Sequence, residues 1–169
     1  MKNLKHLKML KHLNTGDSCI GFEHDILITG GIGSCVVVCL WDSIKKIGAM
    51  AHMFQVCEEL IDSTKVKTYG SSPDTAIPYL LKRMLFLGSK IEDIQVRLVG
   101  GGNMFSNVEK GTVMDIGTQI LASTMLVLKQ VDLSLLSQSV GGRFGREVEF
   151  HVDTGLIEIS NTNGDTKFL

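Results

Sequence analysis

The sequence predicts an α+β domain in which two helices cover a largely antiparallel sheet system, and three observations lead there. Short apolar and β-branched runs recur between turns rich in glycine and aspartate, and two longer segments carry helical spacing. The strands and helices do not alternate as the βαβ units of a doubly wound fold would. A chain of 169 residues, 44% of them hydrophobic, suits one domain that buries roughly two thirds of its unfolded surface.

Taken in order, Met1 to Asn14 carries Leu4, Leu7, Leu10 and Leu13 at a spacing of three, with lysines at 2, 5, 8 and 11. It reads as a short basic amphipathic helix or a loosely ordered lead-in, set before a domain over 15–169. From Ser18 the pattern turns to β. Cys19 to Phe22 and Ile26 to Thr29 read as short strands, followed by Cys35 to Trp41 and Ile47 to Phe54. Asp42-Ser43-Ile44-Lys45-Lys46 has turn chemistry, so the last two form an antiparallel hairpin.

Ser72-Pro73-Asp74 opens a helix running towards Gly88, with Ile77, Leu80, Leu81, Met84 and Leu85 on its apolar side. Pro73 suits the first turn and Gly88 the stop. Pro78 leaves two readings, a helix starting at Asp74 with Pro78 near its first turn, or a kink. Ile94 to Val99 is a strand ending in Gly100-Gly101-Gly102, and a second helix covers about Asp115 to Gln130 despite Gly117. Three strands follow, near Leu133 to Val140, Glu147 to Val152 and Leu156 to Ser160. Gly141-Gly142-Arg143-Phe144-Gly145 and Asp153-Thr154-Gly155 are the turns between them.

Composition excludes several function classes. A formal net charge of -1 offers no field to draw in nucleic acid or an anionic bilayer. No apolar stretch reaches the roughly 18 residues of a membrane span, so no membrane insertion is expected. The basic N-terminus lacks the apolar core of a signal peptide, which makes the cytoplasm the expected compartment and keeps thiols reduced. The four cysteines, Cys19, Cys35, Cys39 and Cys57, form no CxxC pair. The Cys35/Cys39 spacing lacks a partner pair for zinc, so no metal is expected. Gly31 to Val36 lacks the third glycine of a dinucleotide fingerprint, and no GxxxxGK[ST] occurs.

The residues that point to chemistry are Thr29-Gly30-Gly31-Ile32-Gly33-Ser34-Cys35 and, on the next strand, His52. Three glycines leave the approach to one thiol free of side chains, and their N–H groups could stabilise an oxyanion. With a four-residue loop over Asp42 to Lys45, Trp41 pairs with Lys46 and Cys35 falls directly opposite His52. Such opposition brings Cβ atoms to about 5 Å. An adjacent imidazole can take the thiol proton or hold the thiolate as an ion pair. Thr29 can accept a hydrogen bond from a ring N–H and so orient the histidine. The same residues also admit a bland reading, a packed cysteine and a half-buried histidine.

At these positions the chain closely resembles the CheD family, the chemoreceptor glutamine deamidases of bacterial and archaeal chemotaxis. Thr29 to Cys35, the strand to Trp41-Asp42, and Ile47-Gly48-Ala49-Met50-Ala51-His52 carry the core motif. Tyr69-Gly70 with Asp74 to Pro78, Val99 to Phe105, and Gly141 to Arg146 with Thr154-Gly155 continue it in order, over about Gly16 to Ile159. Gly30-Gly31-Ile32 departs from a more usual Leu-Gly-Leu-like run, and Asp115 to Gln119 keeps only the family's Ile-Gly.

The resemblance implies a compact α/β/β-layered domain that hydrolyses glutamine amides of methyl-accepting chemoreceptors, with some members also cleaving glutamate methyl esters. By position, Cys35 matches the nucleophile, His52 the base and Thr29 the third catalytic residue. It implies the receptor cytoplasmic domain as substrate, a CheC-type phosphatase as partner, and no cofactor. A monomer is the expected state. The glycines around Cys35 and those at 100–102 are candidates for oxyanion donors or for a groove admitting a receptor helix, with Met104-Phe105 lining it. The alternative is a binding module that regulates the phosphatase with little catalytic use, and a cysteine hydrolase with another protein target is a third reading.

Overall fold

In a computed structural model, which describes residues 8–57, 69–104 and 115–169, the apolar runs become ten strands and two α-helices. The strands are β1 (Leu10–His12), β2 (Ser18–Phe22), β3 (Ile26–Ile32), β4 (Val36–Asp42), β5 (Ile47–Met53), β6 (Ile94–Gly100), β7 (Leu135–Val140), β8 (Arg146–His151), β9 (Ile157–Asn161) and β10 (Thr166–Phe168). The helices are α1 (Pro73–Phe86) and α2 (Ile116–Gln130). One sheet has the order β1-β3-β8-β9-β10 and the other β2-β5-β4-β6-β7. All pairings are antiparallel except β1 with β3 and β6 with β7, so the α+β reading holds.

Strand alternation divides the second sheet between two cores. Val36, Val38, Leu40, Ala49 and Ala51 face Ile77, Leu80, Met84, Ile120 and Leu128 of the helices. Val37, Cys39, Trp41 and Met50 face the other way, onto Leu27, Val148, Phe150, Ile157 and Ile159 of the first sheet. The result is a helix layer and two sheets, the α/β/β order the family resemblance implies. Trp41 closes the inter-sheet layer by donating from Nε1 to the Val152 carbonyl at 2.8 Å.

Helix ends follow local chemistry. Pro73 stands at the start of α1 after Ser72, and the helix runs on through Pro78, beginning a residue earlier than Asp74. Its end is a Schellman arrangement: Gly88 donates to Leu85 and Ser89 to Met84, with Gly88 at a φ of 94°. Asp115 caps α2, accepting from the Thr118 N–H at 3.2 Å.

Three expectations need correction. The leucine spacing of the lead-in suggests a helix, yet Leu10–His12 is an edge strand parallel to β3, with Leu13 buried in the inter-sheet core. Hydrogen bonding to a sheet edge outweighs a weak local helical pattern there. Leu4, Leu7 and Phe105 lie outside the described residues. The strand does not stop at Thr29: Gly30 and Gly31 continue β3, as a bulge between Thr29 and Ile32.

The third correction concerns register. The hairpin loop is 43–46, not 42–45, because Asp42 Oδ1 accepts from the N–H groups of Ile44 and Lys45, both at 2.9 Å. Asp42 therefore stays in the ladder opposite Ile47, and His52 pairs with Val37 rather than with Cys35.

Gly48 sits on the inter-sheet face of β5, where an added Cβ would stand 2.8 Å from Val152 Cγ2 and 2.9 Å from Phe150 Cε1. Gly48→Ala is expected to destabilise the domain by about 1–3 kcal/mol through overpacking, read as a lower urea midpoint. An unchanged midpoint would mean the sheets can part at no cost.

Candidate active site

Thr29 and His52 come from different sheets and meet at one end of the inter-sheet layer. Thr29 Oγ1 and His52 Nδ1 are 2.7 Å apart, and both side chains are buried. The direction of this bond follows from Thr29's other partner. Its hydroxyl donates to the Leu13 carbonyl at 2.9 Å, so its proton is spent there and its oxygen must accept from Nδ1–H. That holds the ring in the tautomer whose Nε2 carries a lone pair. Nε2 is buried and has no hydrogen-bond partner among the described residues.

The backbone of His52 is fastened as firmly. Its N–H donates to the Asp17 carbonyl at 3.0 Å, and its carbonyl accepts from Gly16 at 2.8 Å. Burial pushes the imidazole pKa below the usual 6.5, opposed in part by the charge of Asp17. The histidine is therefore neutral at neutral pH.

Cys35 lies one residue ahead of β4. The pairing of Val37 with His52 leaves Cys35 two residues further along the same face, diagonal to the histidine rather than opposite it. Diagonal neighbours are about 7–8 Å apart, and no hydrogen bond joins the thiol to Nε2 among the described residues. The thiol is half-buried and free. Burial raises its pKa, while its own backbone N–H acts in the opposite sense by favouring the thiolate. The Cys35 thiol and the His52 imidazole are thus each uncharged at neutral pH. Of the two states the sequence left open, the ion pair is not favoured.

The loop holding Cys35 is clamped by backbone. Gly101 donates to the Cys35 carbonyl at 2.7 Å, and Gly102 donates to the Gly33 carbonyl at 2.8 Å. An added Cβ at Gly100 would lie 2.1 Å from the Cys35 oxygen, and Gly100 has a φ of 116°, so only glycine fits. Gly117 of α2 packs against the same loop, where a Cβ would fall 2.6 Å from the Gly102 oxygen. This also accounts for a glycine inside a helix.

These bonds revise the expected role of the second glycine loop. The N–H groups of Gly101 and Gly102 are spent on holding the Cys35 loop and have no proton left for an oxyanion. Met104 lies over Gly33, where an added Cβ would come within 3.1 Å of its Cγ, and is 47% exposed.

Known proteins share sequence with most of the chain. The family described as CheD chemotactic sensory transduction matches residues 59–161. A probable chemoreceptor glutamine deamidase CheD of Clostridium acetobutylicum is 35% identical over 162 residues, covering 94% of this chain and 92% of that protein. One of the same name from Clostridium botulinum is 34% identical over 163 residues, covering 94% and 98%. The family match begins beyond Thr29, Cys35 and His52, whereas the alignments to whole relatives span 94% of this chain.

A depressed His52 pKa makes stability pH-dependent. The unfolded chain binds a proton near pH 6.5 and the folded one only below that, so this contribution is complete above 6.5 and is lost as pH falls. Between pH 7 and 5, wild-type protein should lose up to about 1.4 kcal/mol per pH unit more than a His52→Asn variant, read by urea unfolding. Parallel pH profiles would contradict a buried neutral His52.

Proposed function

The chain belongs to the CheD family, and from that premise we propose that it is a cysteine amidohydrolase converting selected glutamines of methyl-accepting chemoreceptors to glutamate. The observation that carries this reading is the Leu13–Thr29–His52 relay, which leaves a neutral imidazole with a buried, unpartnered Nε2 on the face that also bears Cys35. A structural histidine would be expected to satisfy both ring nitrogens.

The chemistry follows from that state. Cys35 Sγ attacks the side-chain amide carbon as its proton passes to His52 Nε2, forming a C–S bond and an oxyanion. The N–H groups of Ser34 and Cys35 remain to stabilise that oxyanion, since those of Gly101 and Gly102 are committed. The C–N bond then breaks as the imidazolium returns the proton to the leaving nitrogen, and ammonia departs from a thioester. Water, deprotonated by the same nitrogen, attacks the thioester carbon and frees glutamate and the thiol. Thr29 holds Nδ1–H throughout and stabilises the imidazolium that forms transiently. Glutamate methyl esters fit the same sequence with methanol as leaving group.

No described helix is long and apolar enough to cross a membrane. The protein is read as a cytoplasmic monomer that meets the receptor's cytoplasmic domain and shares that surface with a CheC-type phosphatase. No organic cofactor or metal enters any step.

Cys35→Ala and His52→Ala should abolish the gain of about one dalton per deamidated glutamine in a purified receptor cytoplasmic domain, with the fold intact by circular dichroism. Thr29→Val should lower kcat about ten- to hundredfold. The acid limb of kcat/KM should fall below pH 6.5, following the direction of the His52 shift. Full deamidation by Cys35→Ala would overturn the mechanism. A receptor unchanged by wild-type protein would favour a binding module.

A further inference from the structure

Beneath the Cys35 loop lies a charged side chain that the mechanism above does not use. Arg146 opens β8 and pairs with Ile32, the residue just before the Gly33-Ser34-Cys35 turn. It is only 9% exposed, and its Nη2 donates to the Gly141 carbonyl. Nε and Nη1 are buried without a partner among the described residues. Burying a guanidinium on so few bonds is costly, and an apolar residue would fill the same space at less expense. Something other than packing calls for it.

The bond to Gly141 enters a network that reaches the backbone of Cys35. Gly141 donates to the Gly100 carbonyl at 2.9 Å, and Asn103 donates to the Gly142 carbonyl at 2.9 Å. The next residues of that strand end, Gly101 and Gly102, hold the carbonyls of Cys35 and Gly33. These ties are all backbone to backbone, between segments rich in glycine that have wide conformational freedom. Gly100, Gly101, Gly141 and Gly142 all sit at positive φ. Arg146 contributes a side-chain tie, anchored in a β-strand.

We propose that Arg146 is a positioning residue for the amide hydrolysis: by gripping Gly141 it sets the glycine cradle that fixes the Ser34 and Cys35 N–H groups against the developing oxyanion. This rests on the deamidase reading of the site. Arg146 makes no hydrogen bond to thiol or imidazole among the described residues, so its removal should misalign oxyanion donors while leaving Sγ and His52 in place. A displacement of about 1 Å in such a site can cost a hundredfold in rate.

The test compares wild-type, Arg146→Met and Arg146→Lys proteins in two reactions. Deamidation of a purified receptor cytoplasmic domain needs the oxyanion donors. Alkylation of Cys35 by iodoacetamide, followed peptide by peptide, is a displacement at carbon and needs none.

For Arg146→Met, kcat should fall about ten- to hundredfold, with KM and the Cys35 alkylation rate within about twofold of wild type. Arg146→Lys keeps the charge on a flexible stem without the planar fork and should lose about three- to tenfold in kcat. It decides the matter if Arg146→Met does not fold.

Wild-type kcat in a folded variant would overturn the proposal, as would alkylation falling in step with kcat, which would signal general loosening. An inactive wild-type protein would instead overturn the deamidase reading and this inference with it.

Discussion

The hydrogen bond from His52 to Thr29 spans the two sheets, and the candidate site exists only if those sheets pack at the right separation and offset. Face-to-face sheets lie about 10 Å apart, a distance set by the side chains between them. Here Leu27, Met50 and Phe150 fill that layer, and the glycine at position 48 admits the Phe150 ring. The apolar core therefore does more than stabilise the fold. It sets the gap across which Nδ1 reaches Oγ1, and it dries the bond so that its electrostatic strength is kept.

How much of this was legible in the sequence depended on how local the cause was. Helices α1 and α2 could be read from spacing and caps, because Pro73, Gly88 and Asp115 act within one turn. The hairpin was legible too, but its register was not. The side chain of Asp42 moves the loop on by one residue, and the pairing shifts by two. A shift of two preserves the face, so Cys35 and His52 remain on one side of the sheet although they are not opposed. Strand β1 was hidden because its stability comes from pairing with β3, sixteen residues away, and not from its own pattern. Arg146 was hidden for a related reason: next to a glycine-rich turn a charged residue reads as solvated, and its burial emerges only in the folded chain.

Those loops share one physical logic. Residues 33–35, 100–102 and 141–142 come from distant parts of the chain and meet backbone against backbone. Side chains at the contacts would hold the strands apart, since a Cβ added at Gly100 would stand only 2.1 Å from the Cys35 oxygen. The glycines that permit the approach also raise the entropy lost on folding. That loss has to be offset by the hydrogen bonds among the loops and by the docking of α2 through Gly117. The cradle is thus a tertiary structure in its own right, held from several sides.

Burial acts in opposite senses on Cys35 and His52, raising the pKa of the thiol and lowering that of the imidazole, and these shifts keep both uncharged. Cys39 shows the limit of that effect: deeper in the inter-sheet core, its pKa is raised far enough to keep the thiol inert, despite Arg97 opposite it on β6. Because reactivity toward electrophiles follows thiolate content, a neutral Cys35 is guarded from indiscriminate oxidation and alkylation. The same neutrality moves the energetic burden. An enzyme with a preformed thiolate–imidazolium pair separates charge before substrate arrives. In the proposed mechanism charge separates during attack, so the groups that meet the new oxyanion must already be aligned. A site built from a neutral dyad depends more heavily on the rigidity of its cradle than on the strength of its nucleophile.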